Sequence, residues 1–378
     1  IGLGDFHSGT CTAIVELSNN KKIVYKPTDG KVTEAYYQLL DWINNHYSLG
    51  NYRFKILNRE KYQWLEFVEY DSCQTTEDLE TYYKRAGFII GLVYLLNGCD
   101  YHYENIIANG SSPVLIDHET IIQPKISEKY RLFFRQFIES SRPSVLDSFL
   151  LPNKNTASLL PKGMCGLGYH KQTQFQGIEK VGVNRFSDDW KMSTHFVTQN
   201  LFKNNIPLFK GKKVYPKEYL KELLSGFEFC YRLLTKEKTF LLSSNSPLKA
   251  FNNTKVRFIW RPTSVYARIF NRMKLPENLK NTDSYEKQIK DYLFVAFKKV
   301  PKNSSLNLIL KSEINQMLKG DIPYFEANTS SRDLHTEFGV IENFFDLSCI
   351  GNLKSKLKEL SQEDLEFQKK LIAESILS

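Results

Sequence analysis

Asp100 and Asn105 stand five residues apart in Asp100-Tyr101-His102-Tyr103-Glu104-Asn105, and Asp117 follows twelve residues later. An acid, an amide and a second acid in this order suit phosphoryl transfer. One carboxylate orients a substrate hydroxyl or takes its proton, while the amide oxygen and the second carboxylate hold magnesium on nucleotide phosphates. Upstream, Lys26 closes a β-rich run, a place from which an ammonium reaches phosphate oxygens. Gly4-Asp5-Phe6-His7-Ser8-Gly9 precedes it as a glycine-bearing loop that could cover those phosphates. Each piece also has a plainer reading: Asp and Asn stabilise turns routinely, and a lone strand lysine is usually solvated. The order along the chain favours an ATP site over these separate readings.

Such a site needs strands under Lys26 and a rigid support under the Asp100 loop. Residues 12–17 and 22–26 are β-rich and flank the polar cluster Ser18-Asn19-Asn20-Lys21, which predicts a hairpin. Residues 32–46 carry a helical apolar pattern, with Glu34 a candidate partner for Lys26, and 54–58 and 64–69 read as further strands. From Thr76 a long apolar helix runs to about Gly98, N-capped by Thr75 or Thr76. A polar loop carrying Asp100 follows, then a short strand over 114–116 that delivers Asp117. His118 should point away from the metal site, since strand neighbours alternate faces. Helical patterns then dominate, at about 127–140, 216–235, 285–297, 305–318 and 351–376. The stretch 161–184 reads as an activation-loop equivalent or a surface insertion.

The bulk numbers exclude several classes. At 378 residues the chain can bury a large core, and no apolar run approaches the roughly 20 residues of a membrane span. The longest, Phe88 to Leu96, continues an amphipathic pattern. There is no signal-peptide pattern, and the six scattered cysteines contain no Cys-x-x-Cys pair, so a reducing, cytoplasmic setting is expected without a zinc ribbon or disulfide framework. The net charge of +9 favours anionic partners. No nucleic-acid partner is expected, because the basic residues are dispersed and accompany no nucleic-acid-binding motif.

Seven blocks then carry a resemblance over nearly the whole chain. They are Gly4-Asp5-Phe6-His7-Ser8-Gly9, Val24-Tyr25-Lys26-Pro27, Trp64-Leu65-Glu66-Phe67, Gly98 to Asn105, Leu115-Ile116-Asp117-His118-Glu119-Thr120, Arg257-Phe258-Ile259-Trp260-Arg261-Pro262-Thr263 and Gly320-Asp321-Ile322-Pro323-Tyr324-Phe325. In this order they resemble the dehydratase domain of class II (LanM-type) lanthipeptide synthetases. The resemblance implies an α+β, lipid-kinase-like bilobal fold, with a sheet-rich N-lobe over 1–70 and a helical C-lobe over 71–378. It also implies ATP- and Mg2+-dependent phosphorylation of Ser and Thr in a precursor peptide, followed by phosphate elimination to dehydroalanine or dehydrobutyrine. Lys26, with Gly4 and Gly9, would contact the nucleotide, Asp100 and His102 would lie at the transferring phosphoryl group, and Asn105 and Asp117 would hold magnesium. Glu119 would support that site. Asp5, His7, Arg257 and Thr263 match the positions associated with elimination.

Without that resemblance, Arg257 reads as a strand arginine in a surface ion pair and Thr263 as a post-proline turn residue. The chain begins at Ile1 close to the glycine loop, so it reads as a piece of a longer protein lacking the strand that precedes the loop. A cyclase domain is expected in the parent, but no Cys, Cys and His set lies near the end of this chain. Two other readings stay open: a plain kinase that never eliminates phosphate, and a truncated pseudokinase that only binds.

Overall fold

The fold is that of a computed structural model, which describes residues 2–7, 10–47, 49–131, 142–153, 164–168, 174–184, 186–200 and 204–377, with backbone alone for 2–7, 174–180 and 196–200. It opens on a five-stranded antiparallel sheet. Its strands are β1 (Gly2–His7), β2 (Thr10–Glu16), β3 (Lys22–Lys26), β4 (Ile56–Asn58) and β5 (Gln63–Glu66), in the order β1-β2-β3-β5-β4. The predicted hairpin is β2–β3, turning at Asn20 with φ 61°. Residues 4–7 of the loop expected over 4–9 belong instead to β1, an edge strand antiparallel to β2. A strand therefore precedes β2 in this chain, and the β1–β2 connection follows His7. Gly9 lies in that connection, outside the described residues.

Helix α1 (Lys31–His46) buries Val32, Tyr36, Leu39, Leu40 and Ile43 and packs against the turn Pro247–Phe251. Burying such side chains is worth roughly 1.5–3 kcal/mol each before entropy is counted, which gives this helix one fixed face. Helix α2 (Thr76–Leu96) begins at a capping box. The Thr75 hydroxyl accepts from the Asp78 amide at 3.1 Å, and the Asp78 carboxylate accepts from the Thr75 amide at 2.9 Å. It ends at Asn97, which takes the left-handed conformation (φ 59°) that stops a helix. Almost every residue from Ala86 to Leu96 is buried, so α2 forms the spine of the core.

Next come the hairpin β6 (Ile106–Asn109) and β7 (Ser112–Leu115), strand β8 (Lys125–Ile126), the short helix α3 (Glu128–Arg131), and the hairpin β9 (Gln174–Val183) and β10 (Lys191–Asn200). Strand β9 occupies the end of the stretch 161–184, read as an activation-loop equivalent or a surface insertion. The short pair β11 (Leu208–Phe209) and β12 (Lys212–Lys213) leads to α4 (Leu220–Lys236). Here α2 and α4 touch backbone to backbone: a Cβ on Gly226 would lie 1.8 Å from the Lys84 carbonyl, and one on Gly87 1.9 Å from that of Leu223. Neither position has room for any side chain.

After α5 (Lys238–Leu241) comes β13 (Lys255–Phe258), then helices α6 (Thr263–Met273), α7 (Thr282–Phe294) and α8 (Asn307–Leu318). The chain returns through β14 (Phe325–Asn328), β15 (Leu334–Thr336), β16 (Gly339–Ile341) and β17 (Phe345–Leu347) before α9 (Cys349–Glu359) and α10 (Gln362–Leu377). Strands β13 to β16 make a second antiparallel sheet that helical patterning did not predict. The expected helix over 351–376 is two helices, broken at Leu360-Ser361. No helix among the described residues is long and apolar enough to cross a membrane.

Candidate active site

The support under the Asp100 loop is the end of α2. Past Asn97, the Gly98 amide donates to the Val93 carbonyl at 3.0 Å and Asp100 takes φ 66°, a conformation that Asp tolerates better than most residues. The Asp100 carbonyl then accepts from Asn105 Nδ2 at 2.8 Å. That bond fixes the amide and leaves Oδ1 as the end available to a cation. His102 sits between them, with Nδ1 accepting from the Glu104 amide at 3.3 Å and Nε2 lying 3.4 Å from Asn105 Nδ2. Residues 164–168 close over this loop, for the Tyr103 amide donates to the Met164 carbonyl at 3.0 Å and His102 bridges to Cys165.

The β6–β7 hairpin brings the second acid to the first group. Ile106 pairs with Leu115, and the Ile116 amide donates to the Asn105 carbonyl at 3.1 Å. Asn105 and Asp117 thus leave the open end of one hairpin side by side. Two further bonds stitch the following turn to the loop: Thr120 Oγ1 donates to the Cys99 carbonyl at 2.6 Å, and the Cys99 amide donates to that of Thr120 at 3.2 Å.

Lys26 reaches across from β3. Its ammonium lies 3.2 Å from Asp117 Oδ1 and donates to the Ile116 carbonyl at 3.0 Å. The sequence proposed Glu34 as its partner, but Glu34 accepts from Asn58 Nδ2 at 3.2 Å instead. The helix turns Glu34 towards the β4 end of the sheet, while the hairpin delivers Asp117 to Lys26. Burial disfavours the Asp117 charge, yet the Lys26 ammonium and the Glu119 amide outweigh it and hold this carboxyl below its usual range.

Glu119 is carried the other way, raised by burial and by the neighbouring Asp117 charge. Its partner is Arg257, with Nη1 to Oε1 at 2.7 Å, and the Arg257 amide also donates to the Glu119 carbonyl at 2.7 Å. Arg257 is only 7% exposed and stands over the Tyr324 ring, 5.4 Å from its centroid. It is therefore neither a solvated strand arginine nor remote from the phosphate-type residues. A single narrow cleft is lined by Lys26, Asp117, Glu119 and Arg257 together with Asp29, Lys255, Tyr324 and Glu326.

His118 points away from that chemistry into Tyr36, Tyr37 and Phe54, with ring centroids 4.6, 5.5 and 6.1 Å away. Burial lowers its pKa to about 3, so the ring is neutral. Thr263 opens α6, half-buried, and does not line the cleft; Gly4, Asp5 and His7 lie on β1, where the backbone alone is described. Asp29, Lys255, Tyr324 and Glu326 carried no role in the sequence reading. The signal for the last three was the alternation Lys255-Val256-Arg257-Phe258 and Tyr324-Phe325-Glu326-Ala327, in which Val256, Phe258, Phe325 and Ala327 are buried.

Among the described residues, no three His, Cys, Asp or Glu side chains gather as a metal site. Magnesium on a nucleotide needs only one or two protein oxygens, the rest coming from phosphate and water. The oriented Asn105 amide and the partly open Asp117 carboxylate, 30% exposed, fit that demand.

Residues 1–328 match the family described as Domain of unknown function (DUF4135). The chain is also 29% identical, over 99% of its length, to the lacticin 481/lactococcin biosynthesis protein LcnDR2 of Lactococcus lactis subsp. lactis. It spans 41% of that relative. The motif blocks, the extent of the family match and this likeness agree: the chain belongs to the DUF4135 family, a family associated with LanM-type lantibiotic synthetases.

Proposed function

We propose that this chain is the dehydrating part of a lanthipeptide synthetase, taking Ser and Thr of a precursor peptide first to phosphate esters and then to dehydroamino acids. The observation that carries the reading is the shared cleft, where Lys26 and Asp117 lie beside Arg257 and Glu119. A kinase-like, two-lobed architecture belongs to the same reading. The five-stranded sheet ending in Lys26, the long α2 and the loop and hairpin after it support that architecture.

In the first step Asp100 takes the hydroxyl proton as the hydroxyl oxygen bonds to the γ-phosphorus of ATP and the bond to ADP breaks. Lys26 pairs with the nucleotide phosphates, and His102 steadies the Asp100–Asn105 loop. Magnesium, which Asn105 and Asp117 would hold with Glu119 behind them, supplies charge neutralisation on the phosphates. In the second step a base, for which His7 with Asp5 is the candidate, removes the α-proton. The electron pair forms the Cα=Cβ bond and the Cβ–O bond breaks. Arg257 neutralises the departing phosphate, a task suited to its forked donors.

The test is mass spectrometry of a precursor peptide incubated with the protein, ATP and magnesium. Loss of one water per modified residue is expected. Arg257→Ala should lower dehydration by about 10²–10⁴-fold and leave phosphate on the peptide. Phosphate additions from the unaltered protein would mean a plain kinase. No mass change would leave a binding module.

A further inference from the structure

The second sheet offers the cleft one whole face. Along β13 the apolar side chains Val256 and Phe258 enter the core, and the alternate residues Lys255, exposed, and Arg257, buried, both line the cleft. On the neighbouring strand Phe325 and Ala327 are buried and Glu326, directly opposite Arg257, joins the cleft wall with Tyr324. Register pins Lys255: a one-residue slip would bury it and expose Val256.

Residues two apart on a strand are separated by about 6.5 Å. That spacing sets their backbones side by side along one wall of the cleft, from which a phosphate group can accept from both cations. Lys255 Nζ is held 2.9 Å from Glu326 Oε2, and both side chains are largely in solvent, 59% and 43% exposed. Such an exposed pair is a weak restraint, readily exchanged for a dianion. Its hydrogen bond to Glu326 raises the Lys255 pKa, so the ammonium stays charged while it waits.

We propose that Lys255 is a second catalytic cation for the elimination step, leaving Glu326 to bind the departing phosphate together with Arg257. Its role is charge compensation: the α-proton goes to the base, the Cβ–O electron pair leaves with the phosphate, and Lys255 and Arg257 take up the added negative charge. The inference rests on the dehydratase reading above and adds a residue that the resemblance did not supply.

The experiment uses the whole protein with two probes, a precursor peptide and the same peptide synthesised with one phosphoserine. Mass spectrometry follows both, and circular dichroism confirms folding. Lys255→Met should raise the ratio of phosphopeptide to dehydrated product, and slow elimination from the phosphoserine probe, by about 10- to 100-fold, the worth of one charge-assisted bond. Lys255→Arg should restore most of the elimination rate. An unchanged ratio in Lys255→Met, or equal losses in phosphorylation and elimination, would overturn the inference. If the unaltered protein neither phosphorylates the first probe nor eliminates from the second, the dehydratase reading fails and takes this inference with it.

Discussion

Arg257 and Arg261 lie four residues apart, and each meets a glutamate, but in opposite surroundings. Arg261 and Glu313 are sealed, with side chains 7% and 0% exposed; Nη2 donates to Oε2 at 2.9 Å, and the Tyr266 hydroxyl donates to Oε1 at 2.8 Å. Arg257 and Glu119 share a comparable bond, yet 24% of Glu119 stays exposed and the Lys26–Asp117 pair stands beside it. Both carboxylate oxygens of Glu313 are taken by partners from α6 and the segment before it. The open network faces a cleft. The same pair chemistry fixes packing where it is closed and remains available to a ligand where one side is open.

Cutting the sealed pair is the largest expected effect. Glu313→Ala strands a buried guanidinium and should cost about 3–5 kcal/mol, read as a lower urea midpoint at unchanged slope. Arg257→Ala should cost clearly less stability, because the Glu119 it leaves behind reaches solvent. Equal losses would break the comparison. Next comes replacing the sealed pair whole, Arg261→Met with Glu313→Leu. Buried pairs exchanged for apolar residues are often neutral or stabilising by about 1–4 kcal/mol. The ratio of phosphorylated to dehydrated peptide should not move, and a fall in dehydration would show that the sealed pair takes part in the chemistry.

The smallest effect is on titration within the open network. Asp117 is depressed in the folded protein, so its contribution is present above its unfolded value near about 3.9 and is lost as pH falls through the folded one. Glu119 is raised, so its contribution is present below about 4.3 and is lost as pH rises through its folded value. Carboxyl carbon NMR should find the two on opposite sides of the ordinary range, and Asp117→Asn should remove the acid-side loss. Two ordinary titrations would mean that the cleft is open enough for water to screen both groups.

Much of the first half of the fold was legible. The hairpin under Lys26, α1 and the capped α2 follow from local rules: alternation, an apolar stripe and a Thr-x-x-Asp cap. The second sheet was not, because its strands have three or four residues each and β13 and β14 are separated by three helices. Strands that short leave too few alternations to stand out from helical neighbours. Glu34 misled for a related reason, since a helix position sets a direction only once the helix has docked.

The sequence by itself determined which chemical groups are present, that Asp100 and Asn105 share one loop with Asp117 after a short strand, and that the chain follows the motif order of its family. These are properties of local spacing. Only the tertiary structure decided that Asp117 rather than Glu34 meets Lys26, that Arg257 closes on Glu119, and that Lys255, Tyr324 and Glu326 form a cleft wall while Thr263 does not. Those choices join residues far apart along the chain, 138 positions for Glu119 and Arg257. They are made when two sheets bury their apolar faces and the register of each strand, fixed by that burial, aims the polar face at the cleft.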